Sequence, residues 1–127
     1  MIGTLLQIAI GGAMGATSRY LVTLGIASIM GKQFPYGTLF VNVFGSLMMG
    51  FIIALMLENL TISERYSPLV ITGFLGGFTT FSAFSNDFWQ LSNTGKFDMA
   101  LVYALVSVVL AISALYLGIL LAKVWFH

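Results

Sequence analysis

Charged residues punctuate this chain at wide intervals, and the stretches 1–18, 33–57, 66–86 and 99–122 carry none at all. A helix needs about 20 apolar residues to cross the hydrocarbon core of a bilayer. The pattern therefore predicts an all-α integral membrane protein, a single four-span domain over residues 1–127 with short connections. Span one is expected over about 3–29, span two over 37–57, span three from Pro68 to Ser92 and span four over 99–122. Pro35 separates the first two, and Asn93, Gly95, Lys96 and Asp98 form the last turn. The connection from Glu58 to Ser67 is the most polar.

The third span is interrupted. Gly73, Gly76 and Gly77 fall among hydroxyls and phenylalanines in the run from Thr72 to Ser85. Glycines weaken a helix where lipid offers the backbone no other partner, so a break there must face protein, water or an ion. Residues before the break, and those from Phe81 to Ser92 after it, are each too few to cross alone at 1.5 Å per residue. Two half-helices meeting near the midplane are expected. In span one, Gly11, Gly12, Ala13 and Gly15 place small residues at the spacing that lets two helix backbones approach closely.

Polar side chains then mark faces of the other spans. Thr38, Asn42 and Ser46 recur every fourth residue, and Tyr103 and Ser107 stand one turn apart on span four. Asn42 either bridges two helices or lines a pore, and its amide donates as readily as it accepts, so it does not choose the sign of an ion. Phe81 and Phe84 share a face. They pack a core, or they present positive ring edges to an anion without binding it too tightly to leave. Ser82 and Ser85 could add donors. Arg19 sits inside the apolar stretch of span one, where it attracts anions or serves the structure. Asp87, beyond the break, pairs or reaches the interface. Tyr36, Trp89 and Trp125 fit interfacial anchors, and the terminal His127 is expected to be solvated.

Composition narrows the function. With 59% hydrophobic and 7% charged residues, a net charge of +1 and no basic run, the chain offers nothing to nucleic acid. No cysteine is present for disulfide or thiol chemistry, and no acid pair or histidine cluster suggests an enzyme. The first apolar stretch lacks a basic leader and a cleavage site, so it is read as a retained span, with both termini on one side of the membrane. Lys32 and Lys96 then face one side and Arg65 and Lys123 the other, a tie under the positive-inside rule. A chain with no preferred orientation can insert both ways and pair as an antiparallel dual-topology homodimer.

The motifs Gly37-Thr38-Leu39-Phe40-Val41-Asn42 and Thr72 to Ser85 resemble the Fluc/CrcB family of small fluoride channels, as do the length, Arg19, Tyr103 and Ser107. The resemblance implies an antiparallel dimer in the cell's inner (plasma) membrane, with two pores for passive export of fluoride. It implies that Asn42, Phe81, Phe84, Tyr103 and Ser107 line each pore, with Thr38, Thr80 and Ser82 as further polar groups. It also implies a structural sodium ion at the dimer centre, held by the backbone carbonyls of Gly76 and Thr79. Where some relatives carry one more hydroxyl beyond Ser107, this chain has Ala111. Two other readings compete. A small proton-coupled multidrug exporter would share the outline but needs an acid in span one, where this chain has Arg19. A membrane assembly subunit would use the glycines only for packing, which leaves the polar faces of spans two and four without a purpose.

Overall fold

The computed structural model describes residues 1–58 and 64–126, so part of the polar connection expected at 58–67, and His127, lie outside the described residues. Helix α1 spans Ile2–Met30 and ends where Gly31 takes a positive φ of 84° and returns its N–H to Ala27 O. Pro35 precedes α2, Tyr36–Leu57. The third apolar segment begins with a 3-10 turn at Glu64–Tyr66 and a π-helical stretch at Pro68–Leu75, continued by the short α3, Gly76–Phe78. Helix α4, Phe81–Asn93, and α5, Phe97–Trp125, follow, joined through Gly95 at φ 80°.

Contacts between backbones give the directions. A Cβ on Gly11 would strike Leu69 O, one on Gly15 would strike Phe74 O, and one on Gly77 would lie 2.7 Å from Gly12 O. Numbers rise together along both segments, so α1 runs parallel to the third segment and packs on it through glycine. The same holds for α2 and α5, where Thr38 neighbours Tyr103 and, further along both helices, Ala54 and Leu55 pack on Ala122; between them a Cβ on Gly50 would strike Leu115 O and one on Gly118 would strike Leu47 O. The Gly37 site meets Thr23, which sets α1 antiparallel to α2. An up-down-up-down bundle results.

Among the described residues, three segments are apolar and long enough to cross a membrane: Tyr36–Leu57, Glu64–Asn93 and Phe97–Trp125. The sequence suggested a fourth in α1, which has 29 residues and thus ample length. Gln7, Thr17, Ser18 and Arg19 dilute its apolar run, so α1 differs from the other three in polarity. The outward faces of α1 and α5 carry exposed large apolar residues, among them Leu6, Leu21, Leu105, Val109 and Tyr116. Lipid is a good solvent for such faces, and the interior holds few large buried side chains, chiefly Val41, Leu75 and Tyr103.

The break in the third segment is real but lies further along than the glycines suggest. The helix continues through Gly76 to Phe78 and is broken at Thr79 (ψ 158°) and Thr80 (φ −154°), both extended. Gly73 and Gly77 serve contact with α1 instead, where a Cβ on Gly73 would come within 3.0 Å of Gly11 Cα. Threonine, β-branched, tolerates the extended backbone well.

Candidate functional site

The break releases backbone groups that a continuous helix would pair, and side chains from other elements take them up. The Thr79 N–H and hydroxyl both donate to Leu75 O, at 3.0 and 2.9 Å, closing the first half. Thr80 restarts the helix as an N-cap, its hydroxyl accepting from Ala83 N at 3.1 Å. The Thr80 N–H, which would otherwise reach Gly76 O, donates to Asn42 Oδ1 at 2.7 Å, and Thr80 O accepts from Asn42 Nδ2 at 3.0 Å. Arg19 Nε donates to Gly77 O at 2.9 Å, a carbonyl whose helical donor would have been Phe81 N beyond the break.

Asn42 is thus both a bridge between helices and a marker of polarity. Its two bonds to Thr80 work in only one orientation of the amide, because the N–H of Thr80 requires an oxygen and its carbonyl requires a nitrogen. One Nδ2–H remains beyond that pair. The amide therefore keeps a donor to offer the groove. Gly45, less than one turn on, is buried because a Cβ there would strike Thr79 Cγ2, so this glycine makes room for the break. Sequence reasoning missed Gly45; its one signal was a small residue beside the polar stripe.

A groove of about 430 Å³ runs along this junction. Asn42 and Ser46 enter it from α2, Gly76, Thr79 and Thr80 from the break, Phe81 and Phe84 from α4, and Ser107 and Ala111 from α5. The two phenylalanine rings lie 5.5 Å apart, tilted by 31°, and Phe81 stands 77% exposed while Phe84 is half-buried. Ser107 is the notable polar member. It is buried, and its hydroxyl oxygen has no hydrogen-bond partner among the described residues. A buried hydroxyl without a partner is costly, so Ser107 is a candidate donor to whatever enters the groove.

Not every expected residue reaches the groove. Tyr103, fully buried, lies behind it, its ring 5.1 Å from that of Phe84 and its hydroxyl donating to Asp87 Oδ2 at 3.0 Å. Thr38 neighbours the same phenol. Asp87 therefore pairs, one of the alternatives open from sequence, and its partner is a phenol. Ser82 sits at the rim, 3.2 Å from the Thr80 hydroxyl, and the Ser85 hydroxyl turns back to Phe81 O at 3.1 Å. Arg19 contacts the break from the α1 side, apart from the groove lining. Among the described residues no cluster of acids and histidines could hold a metal through side chains.

A family model described as CrcB-like protein, Camphor Resistance (CrcB), matches residues 6–119. The chain is similar to the Fluoride-specific ion channel FluC of Cereibacter sphaeroides, with 43% identity over 125 residues and 98% of each chain covered. It is also similar to the proteins of that name from Roseiflexus sp., 42% identical with 94% of this chain and 97% of the relative covered, and from Magnetococcus marinus, 41% identical with 91% and 94% covered.

Proposed function

This chain belongs to the CrcB-like family, and from that premise we propose that it is a fluoride-selective channel of the membrane whose groove forms the wall of a pore. The observation that carries the reading is the buried Ser107 hydroxyl, without a partner among the described residues, in a groove it shares with Asn42 and Phe84. Fluoride is small and strongly hydrated, so passage requires donors in place of water. Ser107 offers an O–H and Asn42 its remaining N–H, while the edges of Phe81 and Phe84 add weak positive potential without a fixed charge to trap the ion. Thr80, Ser82, Thr38 and Tyr103 extend the polar route at either end. Arg19, bonded to the break, adds positive potential beside it. Transport of this kind is passive, so fluoride leaves the cytoplasm down its own gradient.

The groove is open along one side, and a second copy inserted the other way up would close it. The tie between Lys32 with Lys96 and Arg65 with Lys123 supports an antiparallel dual-topology pair, in which α1 is the fourth span. Gly76 is exposed on a single chain and would face such a partner. The carbonyls of Gly76 and Thr79 fit a hard cation, since Asn42 takes the N–H that would have reached Gly76 O and the Thr80 hydroxyl accepts from the Ala83 N–H that would have reached Thr79 O. Gly76 and Thr79 of both copies would hold a structural sodium ion, which supplies a fixed positive charge that ties the two breaks together.

The test is efflux from liposomes carrying the purified protein, read with a fluoride electrode against chloride-only and protein-free vesicles. Fast release of fluoride with little chloride is expected. A folded protein that releases no fluoride would overturn the assignment.

A further inference from the structure

The hydroxyls in the groove wall are not equally free to meet an ion. Thr79 spends its O–H on Leu75 O at 2.9 Å, and the Thr80 hydroxyl accepts from Ala83 N and contacts Ser82 at 3.2 Å. Ser107 is uncommitted, and so is Ser46. Ser46 lines the groove from α2, half-buried, and its hydroxyl makes no hydrogen bond among the described residues. A serine inside a helix can bond the carbonyl one turn back, as Ser85 does to Phe81 O at 3.1 Å and Ser92 to Phe88 O at 2.9 Å. Ser46 leaves that bond unmade and keeps its donor for the groove.

Its place along the groove follows from the register of α2 and α5. The two helices run parallel, with Thr38 beside Tyr103 and the Gly50 site against Leu115 O. One sequence offset joins both pairs, and the same offset sets Asn42 level with Ser107 and Ser46 level with Ala111. At 1.5 Å per residue the second level lies about 6 Å beyond the first. There α5 presents only the methyl of Ala111, and the wall around and past it is Val108, Met49, Ile112 and Leu115. We propose that Ser46 is a second relay donor for fluoride, which exchanges the ion with the Asn42 and Ser107 level and carries it through the otherwise apolar end of the groove. The inference rests on the channel reading above. An anion that has shed water finds no donor against methyl and methylene groups, whereas two weak sites one helical turn apart let it step onward without being trapped at either.

Fluoride efflux from liposomes and thermal unfolding in detergent, measured for wild type, Ser46→Ala and the Ser46→Ala/Ala111→Ser double variant, test this directly. Ser46→Ala should slow efflux by about tenfold, the worth of one hydrogen bond to an ion. Its unfolding temperature should be unchanged, because no bond within the described chain is lost. The double variant moves the hydroxyl across the groove at the same level and should regain most of the lost rate, which a packing role for Ser46 does not predict. Wild-type efflux from Ser46→Ala, or a folded double variant as slow as Ser46→Ala, would overturn the relay while leaving the channel in place. A wild type that passes no fluoride would overturn the channel itself and the relay with it.

Discussion

Ser107 and Asn42 occupy the same groove but differ in what they do for the fold, and that difference separates conduction from stability. Ser107 Oγ pairs with nothing in the described chain, so Ser107→Ala removes a buried hydroxyl at no cost in bonds. Thermal unfolding in detergent should be unchanged or slightly raised, while fluoride efflux should fall by about tenfold, the worth of one hydrogen bond to an ion. Wild-type efflux in the variant would remove Ser107 from the pore. Asn42→Ala leaves both Thr80 backbone groups without their partner, at about 1–3 kcal/mol each. It should therefore lower the unfolding temperature as well as the flux, and an unaltered melting profile would contradict the clamp. The amide on the polar stripe was legible from its period alone. Its partner was not, because Thr80 lies 38 residues away and only the bundle brings the two together.

Among the elements, the third segment shows what sequence can and cannot say about a helix break. The position of α4, starting at Phe81, follows from the sequence, since hydroxyl residues before an apolar run announce an N-cap. Local propensity pointed to the glycines for the break, yet Gly73 and Gly77 sit in helix because they face α1, and no local rule knows which neighbour a glycine will meet. Glycines at helix crossings should accordingly divide by contact. Gly50→Ala or Gly118→Ala drives a methyl into a carbonyl of the neighbouring helix and should cost about 1–3 kcal/mol or more in stability. Gly12→Ala meets nothing closer than Gly73 O at 3.9 Å and gains helix propensity, so it should be neutral or stabilise by up to about 1 kcal/mol. Denaturation of the three variants side by side checks this, and a Gly50→Ala protein as stable as wild type would mean that α2 and α5 are not in backbone contact.

At the scale of the whole molecule, the balance of charge has structural content. Lys32 and Lys96 line one cavity at one end of the bundle, while Lys123 closes α5 at the far end of a 29-residue helix. Orientation in the membrane follows the lysines and arginines close to the span ends, and a chain with equal numbers at both ends has no reason to choose. If function needs opposed copies, a bias either way should abolish it. Asn93→Lys with Lys123→Gln shifts the tie toward the Lys32 end, and Leu57→Lys with Val124→Lys, both at exposed positions, shifts it toward the other. Each variant alone should insert one way and leave cells as fluoride-sensitive as cells lacking the protein. Expressed together they should restore resistance, because each supplies the orientation the other has lost. Full protection by either variant alone would instead mean that copies in one orientation suffice, and the open groove would then have to be closed by a parallel partner or by lipid.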